Sequence, residues 1–588
     1  MKIVTSDVIS ALKKFKEKIL TFIFLLAAIF FHLYLISQTF LIDKYGNIRS
    51  TITGYGDIPL HLTQITKFAF QNPLNLGEPI FYGQKLDYPF LINLISGLML
   101  RVTNNFSFSV LFPAFVFAAC NIILVFWVYK QFLKNNLLAS LSLLLFYLGS
   151  GFGALPYIQT ALNNKLNLEQ FINYLIQNNV TTVVKLDAKF PAQSIDFGAP
   201  LSLVFLHQRA FFMGLFEFLI LLLLIIILQN SRSRLIPFLA GLSFGLLPLS
   251  HTHSFVVASI MLFSFMIISF VKKDFVYLKR LVIVAAVGTI ISIPQLIYLT
   301  TASSALTQAA GFVVFRFGWM APPTIGSVIF PTGQLPTIFS FSFLQFLLIN
   351  FGIILPTFLV CVIKIFLKRK TFTKDNLIIV FAFTLSGALL FLIVQLIKFQ
   401  PWDFDDNKLL VYFQFFAIPI ILLVIKNIFE HKKIAGIFIM TTFIVLALFS
   451  GVIDMIPRLT MTENTLPVIF AQDAVQMANY IKTNIPQNEL ILTGTDHRNP
   501  VDALAGRPVL VGYPGWLWSR GINYSVREQE VSNFYFLPTK DNPLLKEFPV
   551  KYVLLDNQTI SDFKANQQTF DNDFKMLYHI GQYTLYKL

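Results

Sequence analysis

Long apolar segments separated by short polar turns run through most of this chain. Eleven of these segments reach or approach the length of about 20 residues that crosses a bilayer as a helix. We therefore predict a mainly α-helical polytopic membrane protein with about eleven spans. The predicted spans are residues 19–42, 108–129, 137–157, 210–228, 235–250, 255–271, 281–299, 341–366, 377–397, 409–425 and 434–452.

A shorter apolar segment at 88–100 interrupts this series. Because it is too short to span comfortably, we interpret it as a re-entrant or juxtamembrane helix on the outer side. A true span there would move the later basic turns, beginning with Lys130 and Lys134, to the outer side. The positive-inside rule argues against that arrangement. The rule also places the lysine-rich N-terminus in the cytoplasm.

The last part of the chain has a different pattern. Residues 468–481 form an amphipathic helical pattern, and short strand-like runs follow it. This interleaving predicts a small α/β domain. The topology puts that domain on the extracytoplasmic side. The predicted parts are a membrane domain, 1–453, with a first outer loop, 43–87, and a long outer loop, 151–206, and then an extracytoplasmic α/β domain, 454–588.

Composition supports a membrane protein and excludes several other classes. Hydrophobic residues make up 55% of the chain and charged residues only 13%, whereas soluble domains carry about 25% charge. The net charge of +15 does not indicate a nucleic-acid partner, because Lys and Arg cluster at the ends of apolar segments. Cys120 and Cys361 both lie inside apolar runs, which supports neither a disulfide nor a thiolate metal site. The Lys-, Ile- and Phe-rich usage suits a bacterial inner (plasma) membrane.

The first outer loop carries an acid and an imidazole one helical turn apart. Asp57 follows two glycines in the sequence GYGDIPLH, and His61 lies four residues later. This spacing places both side chains on one face of a helix, where they could orient and deprotonate a hydroxyl group. The alternative is that Asp57 is simply an N-cap residue.

A second polar motif fills the predicted outer turn at 398–408. Lys408 and Asn407 could hold a lipid-linked phosphate by charge-assisted hydrogen bonds. Asp405 and Asp406 could hold substrate hydroxyls or a divalent cation. Trp402 completes the motif. The alternative is a solvated loop with an interfacial tryptophan.

Other outer turns hold further candidates. Arg209, next to His207, has a planar fork that suits phosphate, although an arginine at a membrane interface can also snorkel. His251 and His253 have no evident third ligand, so a hydrogen-bonding pair is favoured over zinc. Arg316 lies among aromatic residues, and an interfacial belt explains it equally well. No metal ligand set is assigned.

Together these features resemble the GT-C superfamily of integral-membrane glycosyltransferases, in the group with the protein O-mannosyltransferases and aminoarabinose transferases. The resemblance rests on Asp57 in its first outer loop, the juxtamembrane Tyr88-Pro89 segment, the many spans and the C-terminal outer domain. It implies that Asp57 is the catalytic base or orients the acceptor. It also implies a donor sugar on a polyprenyl phosphate. The paired-acid DxD form is absent because residue 55 is Tyr, which leaves a requirement for a divalent cation open.

The predicted function is therefore the transfer of a hexose or pentose from a polyprenyl-phosphate donor to an extracytoplasmic glycan, lipid or protein acceptor, with inversion. Asp57 would take the acceptor proton, while Arg209 and Lys408 stabilise the leaving phosphate. His61, His251 and His253 would position hydroxyl groups. Two alternatives are a polytopic transporter or lipid flippase and a non-enzymatic glycan-binding membrane scaffold. The lack of an internal repeat weighs against a transporter.

Overall fold

The computed structural model describes residues 2–51, 54–183, 195–302, 314–320, 328–329, 341–367 and 377–588. Helices cover most of these residues. They are α1 (Lys2–Ser37), α2 (Asp57–Phe70), α3 (Leu91–Thr103), α4 (Phe106–Leu133), α5 (Asn136–Leu148), α6 (Leu155–Asn163), α7 (Leu168–Gln177), α8 (Pro200–Leu203), α9 (Arg209–Leu228), α10 (Leu235–Ser250), α11 (Thr252–Val271), α12 (Phe275–Ala302), α13 (Phe341–Phe351), α14 (Ile354–Leu367), α15 (Leu377–Leu396), α16 (Asn407–His431), α17 (Lys433–Leu459), α18 (Gln472–Asn484), α19 (Pro500–Ala503), α20 (Pro514–Ser519), α21 (Ser525–Phe536), α22 (Pro543–Glu547), α23 (Asn557–Ser561) and α24 (Gln567–Asp573).

Ten short strands complete the described secondary structure. They are β1 (Leu41–Ile42), β2 (Ile48–Arg49), β3 (Val314–Phe317), β4 (Val328–Ile329), β5 (Ile397–Lys398), β6 (Val468–Phe470), β7 (Leu490–Leu492), β8 (Val550–Leu555), β9 (Lys575–Ile580) and β10 (Tyr583–Lys587). A 3-10 turn, Asp403–Asp406, leads directly into α16.

The chain is an integral membrane protein. Eight described helices are long and apolar enough to cross a bilayer, namely α1, α4, α9, α11, α12, α15, α16 and α17. They match eight of the eleven predicted spans. The predicted span 341–366 is instead two helices, α13 and α14, bent by 97°. The predicted spans 137–157 and 235–250 are the shorter helices α5 and α10.

Helix α2 of the first outer loop packs against α3, which corresponds to the predicted apolar segment at 88–100. A Cβ added at Gly97 of α3 would lie 2.5 Å from the Cβ of Phe68 and 2.7 Å from the carbonyl oxygen of Ile65. Only glycine therefore permits this close approach of the two backbones. Asp57 is the first residue of α2, and Gly56 occupies the N-cap position with no side-chain cap. The N-cap interpretation of Asp57 is thus wrong, and its carboxylate is available for other partners.

The C-terminal region is a small α/β unit, as predicted, and we call it the outer unit after the side of the membrane that the sequence predicts for it. Its four-stranded sheet has the order β7-β8-β10-β9, with β7 parallel to β8 and the other pairs antiparallel. The amphipathic pattern at 468–481 begins with strand β6 and continues as α18. One of the predicted strand-like runs, residues 509–511, forms only isolated bridges, in which Val509 pairs with Ile491 and Val511 pairs with Phe81.

The first outer loop and the C-terminal unit share one hydrophobic core. Strand β2 pairs with β1 on one side and with β6 on the other. Ile58 and Ile65 of the loop belong to the same buried cluster as Val509 and Phe534. The predicted boundary at 453/454 falls inside α17, which continues to Leu459. Because burial of this apolar surface is the main stabilising term, the two outer parts hold each other in place.

A buried ion cluster closes the same interface. Arg520, at the end of α20, donates from Nη1 to Glu78 at 2.7 Å and to Asp87 at 2.9 Å. Both carboxylates come from the first outer loop, and all three side chains are buried. The cluster therefore fixes the outer unit above α2 and α3.

Candidate active site

Asp57 lies at the centre of a polar cleft at the start of α2. Its Oδ2 accepts a hydrogen bond from Nε2 of Gln208 at 2.8 Å and lies 3.3 Å from Nε2 of His207. Both partners precede α9 directly, so the turn before that helix closes over the N-terminus of α2. The Asp57 side chain is still 35% exposed, which leaves it open to a ligand.

The surroundings of Asp57 favour its neutral form. The protein atoms around the cleft displace much of the bulk water and raise the pKa of Asp57 to about 7, while the nearby Lys408 and the Gln208 hydrogen bond act in the opposite direction. Burial lowers the pKa of His207 to about 3, so its imidazole is neutral and can donate Nε2–H to the carboxylate. Asp57 can thus exchange a proton near neutral pH, as a general base requires.

The turn before α16 brings a cation next to this cleft. Nζ of Lys408 lies 3.1 Å from Oδ1 of Asp405, and the charge of Lys408 acts on both Asp57 and Tyr88. The adjacent residue, Asn407, has a structural contact, because its Nδ2 donates to the carbonyl oxygen of Asp196 at 2.9 Å. Lys408 is buried, and although it pairs with Asp405 its charge also acts at the cleft, where it opposes the rise in the pKa of Asp57.

Asp406 and Arg316 lie together beside the cleft. A small cavity is lined by Arg316, Trp319, Val394, Ile397, Lys398 and Asp406. Oδ2 of Asp406 also accepts from the backbone N–H of Phe399 at 3.4 Å. Trp402 turns instead toward the outer unit, where its ring lies 6.0 Å from that of Trp518. The predicted 398–408 motif therefore divides between the cleft, this cavity and the outer unit.

Arg209 and His61 belong to a buried network beneath the cleft. The guanidinium of Arg209 donates to Oδ1 of Asn93 at 3.3 Å, to Oγ of Ser96 at 2.6 Å and to the carbonyl oxygen of Val110. Nδ2 of Asn93 in turn donates to Nδ1 of His61 at 3.0 Å. These contacts tie α3, α4 and α9 to α2. The structure therefore gives Arg209 protein partners, and it gives His61 one polar partner on α3.

His251 and His253 lie on a neighbouring turn. Nδ1 of His251 accepts from the backbone N–H of Ser254 at 3.3 Å, which caps α11, and lies 2.7 Å from Oγ of Ser254. The two imidazole rings stack at 5.2 Å. His253 lies within electrostatic range of Lys408 and Asp405. Lys408 acts on His251 as well, so both imidazoles lie near the cleft, and His251 in addition stabilises a helix end.

Comparison with solved structures places this arrangement in a known architecture. The apo oligosaccharyltransferase of Archaeoglobus fulgidus superposes with a TM-score of 0.51 at 12% identity, covering 91% of this chain and 70% of that one. The chain has the GT-C fold. The predicted GT-C architecture is thereby confirmed. At this identity the likeness concerns the fold alone, because one fold hosts many functions.

Two further solved GT-C structures show weaker similarity. The same oligosaccharyltransferase, tethered with an acceptor peptide containing the NVT sequon, has a TM-score of 0.48 at 12% identity and covers 91% of this chain and 69% of that one. ArnT from Cupriavidus metallidurans, bound to undecaprenyl phosphate, has a TM-score of 0.41 at 9% identity and covers 96% and 97%. No family model and no curated protein matches the chain.

Three residues of the GT-C cleft were missed in the sequence. Gln208 lies between two predicted site residues, His207 and Arg209, and this position in the sequence could have identified it. Tyr88 feels the charges of Lys408 and Asp57, but the sequence marked it only as part of a juxtamembrane segment. Asn93 was hidden in an apolar helix. Its spacing from Ser96 and Gly97 marks a polar, small-residue face of α3 that could have identified it.

Metal binding has no support in the described part of the chain. Within those residues, no group of three His, Cys, Asp or Glu side chains is placed to hold a metal ion. Asp405, a predicted oxygen ligand, pairs with Lys408. A divalent cation stays a prediction from the sequence.

Proposed function

We propose that the protein is a membrane glycosyltransferase that moves a sugar from a polyprenyl-phosphate donor to an acceptor hydroxyl on the outer face. The observation that carries this proposal is the state of Asp57. It is a partly open carboxylate with a pKa of about 7, held by His207 and Gln208 next to the buried cation Lys408. The GT-C fold is compatible with this chemistry.

In the proposed step, the carboxylate of Asp57 takes the proton of the acceptor hydroxyl. The acceptor oxygen forms a bond to the anomeric carbon as the bond from that carbon to the phosphate oxygen breaks. The electron pair leaves with the phosphate, which gains negative charge next to Lys408. Attack from the face opposite the leaving group inverts the anomeric centre.

The other predicted residues have supporting roles in this proposal. Neutral His207 and Gln208 orient Asp57 through the contacts to Oδ2. His253 borders the sugar position. Arg209 acts through Asn93 and His61, because this network of buried hydrogen bonds holds α2 in a fixed position against α3. Arg209 is therefore a positioning residue in this scheme.

The proposed topology is an inner bacterial membrane with a cytoplasmic N-terminus and an outer C-terminal unit. It can be tested in a variant without Cys120 and Cys361. Asp541→Cys on the outer unit should react with an impermeant maleimide in intact spheroplasts. Lys134→Cys should react only after permeabilisation. Reaction of Lys134→Cys in intact spheroplasts would overturn this orientation.

The transfer reaction can be measured with the full chain in nanodiscs. Radiolabelled polyprenyl-phosphate mannose, glucose, galactose or aminoarabinose serves as donor, and membranes of the native host supply the acceptor. Release of free polyprenyl phosphate with label in the acceptor is expected from one or more donors. Asp57→Asn should abolish this transfer, and Asp541→Asn, an exposed acid of the outer unit, should not. Undiminished transfer by Asp57→Asn would overturn the proposal, as would transfer by no donor.

A further inference from the structure

Five aromatic side chains from three separate segments lie in two groups, Tyr55, Tyr513 and Trp516 around His497 and Trp402 with Trp518, which the short helix α20 connects. We refer to Tyr55, Trp402, Tyr513, Trp516 and Trp518 as the aromatic platform. The ring centroids of Tyr513 and Trp516 are 5.2 Å apart, and those of Trp402 and Trp518 are 6.0 Å apart. Tyr55 is two residues before Asp57, so the platform begins at the proposed base.

The platform keeps a large part of its aromatic surface open. Trp518 is 45% exposed, Trp402 is 43% exposed and Tyr513 is 36% exposed. Its geometry is also held in place, because a Cβ at Gly515 would lie 2.5 Å from Cε1 of Tyr513. The Tyr513 ring thus rests directly on the backbone of α20. Exposed, well-supported rings of this kind indicate a binding surface.

A polar group lies among the rings. The imidazole of His497 is 4.9 Å from the Tyr55 ring and 5.3 Å from the Tyr513 ring. Its Nδ1 lies 3.2 Å from Oδ1 of Asp496. Its Nε2 is buried and has no hydrogen-bond partner among the described residues. Buried polar atoms are normally hydrogen-bonded, so Nε2 of His497 has capacity for a ligand.

The nearby charges cancel each other. Nη2 of Arg498 lies 3.1 Å from Oδ2 of Asp496, and the guanidinium of Arg498 also lies over the Tyr55 ring at 5.4 Å. The pair presents planar hydrogen-bonding groups with little net charge. A neutral ligand rich in hydroxyl groups fits these groups better than an anion does.

We propose that the aromatic platform is the acceptor subsite and that the acceptor is a neutral oligosaccharide. This proposal rests on the proposed glycosyl transfer and names the acceptor class for the same site. One face of a pyranose ring is a patch of C–H groups, which matches the electron-rich face of an aromatic ring. Several rings in succession suit several sugar units. The His497–Asp496–Arg498 group then bonds the hydroxyls at the sugar edges.

The two main alternatives fit the observations less well. An interfacial belt places aromatic rings at the membrane boundary as anchors in lipid, whereas two of these rings lie on α20 of the outer unit and a third, Tyr513, directly precedes that helix. A peptide acceptor is commonly bound by main-chain pairing along a strand edge, but the platform is made of side chains from a loop, a turn and a short helix. Peptides and lipid vesicles are therefore competing probes in the test.

Tryptophan fluorescence of the full chain in nanodiscs measures binding without requiring transfer. Three of the five tryptophans of the chain belong to the platform, so they report directly on an occupant. The probes are cellohexaose, mannohexaose and chitohexaose, with a mixed hexapeptide library as comparison. We expect saturable quenching by at least one hexasaccharide and none by the peptides. Tyr513→Ala and Trp516→Ala should each weaken binding at least tenfold, whereas Phe536→Ala, an exposed aromatic residue on α21, should leave it unchanged.

The outcomes separate this inference from the proposed function. Hexasaccharide binding that depends on Tyr513, in a protein without transferase activity, would retain the platform and reject the transfer reaction. Transferase activity combined with unchanged hexasaccharide affinity in both platform variants would reject the platform, as would tighter binding of peptides or vesicles. In the transfer assay, Trp516→Ala should raise the acceptor KM at least tenfold with kcat within twofold. A merely structural role would lower the unfolding temperature, which should stay unchanged.

Discussion

Two carboxylate groups of the first outer loop lie in opposite environments. Asp57 is 35% exposed and has a neutral imidazole and an amide as its partners. The side chains of Glu78 and Asp87 are 1% and 2% exposed and share the guanidinium of Arg520. The first arrangement allows Asp57 to gain and lose a proton near neutral pH. In the second, burial also raises the pKa of Asp87, to about 6, but the direct contact with Arg520 stabilises the ionised carboxylates, and removing that cation would leave uncompensated charge in the interior.

Under the proposed function, this difference separates the catalytic acid, Asp57, from two acids that stabilise the fold. All three acids belong to one loop, and local sequence does not distinguish them. The distinguishing feature is the partner. Arg520 contacts both supporting acids directly, whereas Lys408 contacts Asp405 and only influences Asp57 from a distance. Exposure and the absence of a direct cation are therefore the better guides to function in this loop.

The largest effect is expected from Asp57→Asn. The change preserves shape and removes the base, so kcat should fall about 10²–10⁴-fold, the usual contribution of a positioned general base. The unfolding temperature, measured by scanning fluorimetry in nanodiscs, should stay the same. A drop in unfolding temperature with activity retained in the folded fraction would place Asp57 among the supporting acids.

Arg520→Met should have the next largest effect, and on stability. Glu78 and Asp87 would remain buried without their cation, which typically costs about 3–5 kcal/mol. We expect a clear fall in unfolding temperature with normal kcat in the protein that remains folded. The control is Lys551→Met, because the ion pair of Lys551 with Glu489 lies at the surface and exposed pairs contribute little. Equal thermal effects of the two variants would contradict the comparison.

Asn93→Ala tests the network beneath the cleft. His61 Nδ1 and Arg209 Nε would each lose a buried partner, and such losses cost about 1–3 kcal/mol each. The unfolding temperature should fall less than in Arg520→Met. The value of kcat should also fall, because α2, which carries Asp57, is no longer held in position against α3. Asn572→Ala, at an exposed position of α24, is the matched control. A wild-type kcat in Asn93→Ala would remove the network from the positioning role.

The smallest effect is expected in the pH profile. The pKa of Asp57 is raised from its ordinary value to about 7, chiefly by the removal of water around it. The ionised base is lost as pH falls below that value, so activity should decline about tenfold per pH unit below about 7. Gln208→Leu removes a hydrogen bond that favours the ionised form, so its acid limb should move to higher pH. A shift toward lower pH would contradict this account.

The outline of the fold was predictable from sequence because membrane spans are long and their flanking charges are biased. Those rules predicted eight of the described spanning helices, the helical segment at 88–100 and the outer α/β unit. The predicted spans at 137–157, 235–250 and 341–366 correspond to the shorter helices α5 and α10 and to the bent pair α13–α14, because length and hydropathy alone do not reveal where an apolar helix ends early or bends.

The candidate site was predictable only in part, for a related reason. The topology placed Asp57, His207 and Lys408 on one side of the membrane, and the structure brings them to one cleft. It could not predict that Arg209 would bond Asn93 and Ser96. It also could not predict that Arg520 would pair with acids more than 400 residues earlier, since such long-range pairing leaves no local periodicity in the sequence.

The pairing of β2 with β6 has a consequence for biosynthesis. Strand β6 is translated after every described spanning helix, yet it completes the sheet of a loop that follows the first helix. During synthesis that loop is made early, and the edge of β2 stays unpaired until β6 has been translated. The loop that carries Asp57 therefore gains its last strand partner only late in translation, and we expect it to fold completely only after residues 468–470 have been made.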